Sequence, residues 1–404
     1  MTDTDRHRGS EGHATRRRFL RNSAVGVTVG ATVSGCLGGG GNGNGSGNGD
    51  GNGNGGGNGN GDGNGEATGS GDPELADEIT FYSTGGAWLR AMDETIITPF
   101  EEEYGVSVDL QPYGNANQVI SQIRAGQVDL DAMLMVDPAL YRGVNEDIFA
   151  PLRLENIPHY DAIETFHPEE VPYDPGDRVH HVPNTYGAYG LTYNTETFDS
   201  APTSWSELYT EELSGQLTYS GFTAPVVGNA ALEEGIDFNT LEGGGDAVDT
   251  VFDRVSQQNE YMYQWWDSAA TAEELYTNES AVAGNCWVGR VQSLRDEEGV
   301  PVEYTLPEEG ATGYVSVWAI NDEIEDPRRY TAELLLDYVL QEEPSRRLAE
   351  EIHYGQANAF SDAPESYQEI PDVQYPDRIH IWDQDVFAPN QQEWAQRFQE
   401  ITRQ

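Results

Sequence analysis

The sequence predicts an α/β protein built of parallel strand–helix–strand units and carried on a long solvated leader. Three observations predict it. From about Pro73 to Gln404 there are roughly 330 residues, enough for about two domains, and the 8 Trp, 21 Tyr and 12 Phe of the chain supply core material. Short apolar runs alternate with runs of helical period, the order that gives βαβ units. No repeat of 20–50 residues is visible, so a solenoid is excluded.

The first unit starts with the short apolar strand Ile79-Thr80-Phe81-Tyr82, followed by the turn Ser83-Thr84-Gly85-Gly86. Met92, Ile96 and Phe100 then recur at helical spacing, and Gly105 ends the run. Val106 to Leu110 alternates as a strand, Asn117 to Ala125 is a short helix stopped by Gly126, and Leu130 to Val136 is a buried strand closed by Asp137-Pro138. A second unit begins near Asn184. Tyr186 to Asn194 reads as a strand leaving the first unit, Ser204-Trp205 opens a helix, and Leu217-Thr218-Tyr219 is a strand. Ala281 to Val288 and Tyr314 to Ile320 are further strands. Thr331 to Gln341 is an amphipathic helix with Leu335, Leu336 and Val339 on one face and Pro344 after it.

The N-terminus reads as an address and an anchor. Thr15-Arg16-Arg17-Arg18-Phe19-Leu20-Arg21 is a twin-arginine export pattern, and the apolar run Ala24 to Val33 is too short to span a membrane. Val33-Ser34-Gly35-Cys36 resembles a lipobox, with Cys36 as the expected lipid attachment site. Residues 1–35 are therefore expected to be signal and 36–73 a tether. Gly38 to Gly65 holds 17 Gly, 8 Asn, 2 Asp and 1 Ser, which can bury no apolar surface. A tether of about 36 residues reaches roughly 30–36 Å. The expected location is the outer face of the cell membrane, reached by the twin-arginine route. The remaining Cys286 leaves no intramolecular disulfide after lipidation and reads as a small core residue. Asn278-Glu279-Ser280 is an N-x-[ST] sequon.

Seventy acidic residues face 21 basic ones, all of them Arg. After Cys36 the balance is 67 acids to 15 Arg, a net −52. Such self-repulsion destabilises a compact state at ordinary salt and is screened at molar salt, where the Debye length is about 3 Å. The composition is that of a halophile's surface. No Arg cluster outside the N-terminus could meet phosphates, which excludes nucleic acid as a partner. Dialysis below about a few hundred millimolar salt should unfold the domain, as circular dichroism across a KCl series would report; an unchanged spectrum in dilute buffer would contradict the halophilic reading.

Catalytic and metal constellations are missing from the sequence. His180-His181 is a tempting pair, but neighbouring side chains on an extended strand point to opposite faces. There is no HExxH, CxxC or GxSxG, and Gly243-Gly244-Gly245 lacks the Lys-Ser/Thr of a P-loop. No enzyme activity, metal or cofactor is expected. Tyr261 and Tyr263 could imitate paired ferric ligands, and a ferric-ion transport protein is one alternative; a surface lipoprotein binding glycan or protein is another.

Several segments together resemble a known family. The strand followed by Ser83-Thr84-Gly85-Gly86-x-Trp88, then Thr98-Pro99-Phe100-Glu101-x-x-Tyr104-Gly105-Val106, resembles the opening of extracellular solute-binding proteins of ABC importers. Tyr186 to Asn194 with Ala201-Pro202-Thr203-Ser204-Trp205, Leu275 to Trp287, Val300 to Gly310, and Val317-Trp318-Ala319-Ile320 continue the likeness in order. It is most similar to the spermidine/putrescine-binding type, here as a haloarchaeal-like lipoprotein. The resemblance implies a two-lobed periplasmic-binding-protein type II fold with a discontinuous first lobe. Residues 74–184 plus about 312–362 would form lobe 1, and 185–311 plus about 363–404 lobe 2. A small polar organic solute would bind between them and pass to ABC permease subunits, the protein acting as a monomer.

In open parallel sheets a ligand sits outside the carboxyl ends of the strands, where Ser83, Thr84, Gly85 and Gly86 lie. Trp88, Trp265, Trp266, Trp287, Tyr314 and Trp318 are the candidate cleft aromatics, of which the resemblance favours Trp88, Trp266 and Trp287. Tyr186, Thr223 and Ser316 are candidate polar contacts, and Trp205 and Trp382 read as packing residues. Aromatic faces attract ammonium groups and stack on flat solutes. Two departures bear on the solute. Where polyamine-type proteins place a carboxylate after the strand at Leu217 to Tyr219, this chain has Ser220 to Val226 with no acid. Where relatives commonly read Trp-Asn-Gly, it has Trp287-Val288-Gly289-Arg290. Arg290 would repel a polyamine and hold a carboxylate, phosphonate or phosphate, or it is a surface residue of the following helix. Asp137 is the remaining candidate acid.

Overall fold

A computed structural model describes residues 73–174, 178–241 and 243–403. The chain divides into Met1–Thr68 and a compact unit, Gly69–Gln404. The twin-arginine pattern, Cys36 and the Gly/Asn tether lie outside the described residues.

Strand β1 (Glu78–Thr84) leads into α1 (Ala87–Met92), a π-helical stretch (Asp93–Ile97) and α2 (Thr98–Tyr104), which follow without a break. Met92, Ile96 and Phe100 are all fully buried on the inner face. Gly105 closes the run at φ 71°, a left-handed conformation that glycine adopts without steric cost. Next come β2 (Ser107–Tyr113), α3 (Ala116–Arg124), β3 (Ala132–Val136) and α4 (Asp137–Asn145). Asp137-Pro138 thus closes β3, as the sequence predicts, and opens a helix directly at the strand end, because proline's fixed φ suits a helix's first turn.

The central strand β4 (His181–Asn194) begins earlier than its sequence suggests. Beyond it lie β5 (Leu217–Ser220), α5 (Thr223–Glu233), α6 (Asp246–Asn259), β6 (Met262–Trp266), α7 (Ala269–Thr277) and β7 (Ala283–Trp287). Helix α8 (Val288–Asp296) and β8 (Val302–Thr305) follow. The chain returns through β9 (Ala311–Ile320), α9 (Arg328–Leu340), α10 (Glu342–Ile352) and β10 (Gly355–Gln356). It ends with α11 (Glu365–Gln368), α12 (Pro371–Gln374), β11 (Ile379–His380) and α13 (Gln384–Thr402). The expected helix at Ser204-Trp205 is a single 3-10 turn, Trp205–Leu208, with a Ser204/Glu207 capping box.

The strands run in the order β2-β1-β3-β9-β4-β7-β5-β6. Two parallel groups, β2-β1-β3 and β7-β5-β6, are joined through the antiparallel pair β9 and β4. Strand β4 makes the connection. His181 to Ala188 pair with β9, whereas Tyr189 to Tyr193 pair with β7 and Leu191 to Asn194 with β8. The strand therefore continues through 184/185, with a register shift against β9 between Pro183 and Thr185, and changes neighbours at Ala188/Tyr189. This gives two α/β lobes, each with its parallel strands ending toward the junction.

Helix α9 is less amphipathic than its Leu335, Leu336 and Val339 suggest, since Glu333 and Asp337 on it are buried as well. Arg153 Nε and Asn156 Nδ2 donate to Glu333 at 2.8 and 2.6 Å, and His159 Nδ1 lies 2.9 Å from Asp337. Buried charge is tolerated there because it is paired. Pro344 sits inside the first turn of α10, a position that needs no N–H. Cys286 is fully buried, and burial pushes its thiol up to about 12, which makes it a core residue. Asn278 is exposed.

Candidate functional site

The parallel strands of the first lobe end at one place. Thr84 is the last residue of β1, Tyr113 of β2 and Val136 of β3, and all three line a cavity of about 470 Å³. The second lobe contributes Trp287 at the end of β7, Ala224 in the first turn of α5, Ala269 at the start of α7 and Arg290 in the first turn of α8. Strand ends and helix starts converge here for one topological reason: every βα unit delivers its turn to the carboxyl edge of its sheet. A larger cavity, about 830 Å³, lies elsewhere; none of the parallel-strand ends or helix starts that build this site line it.

Two ionisable groups of opposite sign line the site, Asp137 and Arg290. Asp137 is 3% exposed; it accepts the Val315 N–H at 3.2 Å and Gln384 Nε2 at 3.3 Å. Burial pushes its carboxyl up to about 7, against the pull of those hydrogen bonds. Arg290 is half-buried and pairs with Glu273 at 3.1 Å. Helices α4, α5 and α8 all start at the cavity, and none has a side-chain cap. Their dipoles favour an anion, although in α4 the Asp137 carboxylate accepts its own N–H and Pro138 has none to offer.

The remaining walls are aromatic. Tyr189 stands 5.4 Å from Trp287 and 5.9 Å from Tyr314, and Trp88 stands 5.8 Å from Tyr354, centroid to centroid. Trp88 Nε1 is buried and has no acceptor among the described residues.

Of the residues singled out in the sequence, Thr84, Gly85, Trp88, Asp137, Trp287, Arg290, Tyr314 and Ser316 line this cavity together. The others lie off it. Ser83 is fully buried with its hydroxyl toward Met92 Sδ at 3.5 Å, and Gly86 is the exposed residue preceding α1. Thr223 opens α5, but its neighbour Ala224 is the residue at the cavity. Tyr186 is buried against Phe166. Trp265 packs on Tyr219 and Phe398 and donates to Asn259 Oδ1 at 2.8 Å. Trp266 is fully buried behind Trp287, 4.8 Å away, and donates to the Asn285 carbonyl. Trp318 is fully buried 4.5 Å from Phe81. Alternation cannot separate the faces of a strand buried on both sides, so Trp318 in β9 gives no local sign of facing the core. Trp205 is fully buried; Trp382 is also buried, yet its edge reaches the cavity.

Tyr113, Tyr189, Tyr354 and Gln384 line the cavity as well, and the sequence did not single them out. Tyr189 lies in the strand that leaves the first unit; Tyr354 and Gln384 come from segments with no motif around them. The histidine pair departs from its expected geometry. His180 precedes β4, so strand alternation does not apply to it, and the Nδ1 atoms of His180 and His181 reach the same Asp174 carboxylate at 2.8 and 3.0 Å. Among the described residues no group of three or more His, Cys, Asp or Glu is placed to hold a metal ion. Tyr263 is 54% exposed, and neither it nor Tyr261 lines the cavity.

Residues 95–374 match the model of a family described as bacterial extracellular solute-binding protein. The γ-aminobutyric acid-binding protein of Pseudomonas aeruginosa is 23% identical over 294 residues, covering 69% of this chain and 77% of that protein. The putrescine-binding periplasmic protein of Escherichia coli is 21% identical over 289 residues, covering 67% and 76%. Among solved structures, a spermidine/putrescine ABC transporter substrate-binding protein from Streptococcus pneumoniae superposes with a TM-score of 0.69 at 19% identity, over 81% of this chain and all of that one. The shared architecture is the two-lobed type II binding-protein fold.

Proposed function

Because the chain belongs to the bacterial extracellular solute-binding protein family, we propose that it captures a zwitterionic amino-carboxylate in the cavity at the lobe junction and delivers it to an ABC importer. The observation that carries this reading is the cavity's charge inventory of one carboxylate, Asp137, and one guanidinium, Arg290, between aromatic walls. A diamine presents two ammonium groups, and the lining offers a single acid. An amino-carboxylate puts its ammonium on Asp137 and against the aromatic faces. Its carboxylate meets Arg290 and the uncapped helix starts. The relatives named for γ-aminobutyric acid and for putrescine bracket this choice.

A thermal-shift screen in molar KCl against amino acids, polyamines, phosphonates, thiamine and ferric ion identifies the solute; at about 100 times its Kd a ligand adds about 2.7 kcal/mol of stability. Calorimetry with that solute then tests the site. Trp287→Ala should weaken binding by about 1–2 kcal/mol, roughly tenfold, and wild-type affinity in this variant would put the solute elsewhere.

We propose further that a lipid on Cys36 holds the protein at the outer membrane face after twin-arginine export, as expected for a chain that folds in a salt-loaded cytoplasm. Cys36→Ala should release it from membrane fractions or block its processing, and Arg16→Lys with Arg17→Lys should leave it in the cytoplasm. Unchanged fractionation of both variants would remove the assignment.

A further inference from the structure

The larger cavity, about 830 Å³, lies at the far end of α5 from the solute site. Phe166, Val171, Leu232, Ile236, Ile379 and Ile381 are its apolar lining. Packing defects in protein interiors are about the size of a water molecule, whereas ligand sites fall in the range of about 300–1,000 Å³ with apolar walls and few polar groups. The segment from Ile379 to Gln384 separates the two cavities, since Ile379, His380 and Ile381 line the larger one and Trp382 and Gln384 line the solute site. Asn239 fixes that wall, donating to the Ile381 carbonyl at 2.9 Å and accepting the Asp383 N–H at 2.8 Å. Phe238 backs it, 4.2 Å from Trp382.

The polar groups of this cavity have one sign. Glu170, Asp237 and Glu309 line it, no Arg does, and burial lowers the pKa of His380 so that its ring is mainly neutral near pH 7. Acids are common over this whole surface, but Glu309 differs from the rest. Its Oε1 accepts the Ser204 hydroxyl, while its Oε2 is buried and has no donor among the described residues. A carboxylate oxygen removed from water needs a donor.

We propose that this rear cavity is a second binding site, for an organic ammonium compound with an apolar body, whose N–H groups satisfy Glu309 while its hydrocarbon part lies on Leu232, Ile236 and Ile381. Hexylammonium is a suitable probe, titrated calorimetrically into the full chain in molar KCl with hexanoate and hexanol as controls. Hexylammonium should bind, and both controls should bind at least about threefold more weakly. Ile236→Trp, which fills the cavity, should abolish binding. Glu309→Gln should weaken it about three- to tenfold, with circular dichroism confirming that both variants fold; should Ile236→Trp fail to fold, Glu309→Gln alone carries the test. Trp287→Ala, in the other cavity, should leave hexylammonium binding unchanged. The proposal is overturned by an absence of binding heat, by equal binding of hexanoate, by unweakened binding to Glu309→Gln, or by binding that survives Ile236→Trp. Loss in Trp287→Ala overturns it too, because that result assigns the amine to the solute site.

Discussion

Gly284→Ala should cost the fold about 3 kcal/mol or more and lower the melting temperature by roughly 4 °C or more for a unit of this size. Gly284 lies in β7, paired with Thr192 of β4 on one side and Thr218 of β5 on the other. Its φ of 156° already disfavours a side chain, and an added Cβ would run into the Thr218 carbonyl, 2.7 Å from its carbon. The obstacle is backbone in a neighbouring strand, so no rotamer change relieves it, and β5 and β7 must part. Trp287 closes β7 three residues later, so solute binding should fall with stability. Thermal unfolding in molar KCl checks this, and a wild-type melting curve would contradict the close approach of the two strands.

The second large effect belongs to Asp137, and its sign differs between stability and binding. The folded carboxyl titrates near 7 and an unfolded one near 3.8. As pH rises between those values the unfolded chain ionises freely while the folded one resists, so the fold loses stability across that window. Asp137→Asn keeps an acceptor for the Val315 N–H and escapes that loss. The solute-free variant should be more stable than wild type at pH 8, by about 2–4 kcal/mol. Binding should move the other way. An ammonium needs the ionised carboxylate, so wild-type affinity should rise roughly tenfold from pH 6 to pH 8 and level off above that. The Asn variant should bind about 30–100-fold more weakly at pH 8 and show no such rise. Melting curves and calorimetry across pH on the two proteins read both signs. A flat wild-type binding profile would separate Asp137 from the solute.

The sequence made the fold legible wherever a periodic run met a chemical stop. Met92, Ile96 and Phe100 before Gly105 gave the first helix, since burial and the left-handed stop are both local requirements. The strand ends were legible for the same reason: Thr84-Gly85 and Trp287 stand where an apolar run gives way to a helix start, and those positions reach the cavity. Which aromatic faces the solute was not legible at Trp318 and Trp266. Trp318 lies in a strand whose two faces are covered, where alternation carries no information, and it packs on Phe81, far away in the chain. Trp266 ends the edge strand β6, most of which is exposed, and is buried by Trp287 and the Asn285 carbonyl of β7. Tyr354 and Gln384 were invisible for the opposite reason. Each is an ordinary residue after an ordinary helix or loop, brought to the cavity by the return of the chain through β9 and by the docking of α13 on α5 and α6. Asp137-Pro138 was placed correctly as the end of β3, and the helix that it opens was not foreseen, because the same dipeptide serves equally well in a turn.

The central claim is that one acid and one guanidinium select an amino-carboxylate. Calorimetric titration of 4-aminobutanoate and 1,4-butanediamine at pH 8 in molar KCl, into wild type and Arg290→Ala, tests it most directly. Wild type should bind 4-aminobutanoate at least about tenfold more tightly than the diamine, and Arg290→Ala should erase that preference by weakening the amino-carboxylate by about 1.5–3 kcal/mol while leaving the diamine unchanged or tighter. A wild-type protein that prefers the diamine, with Arg290→Ala making no difference to 4-aminobutanoate, would contradict it.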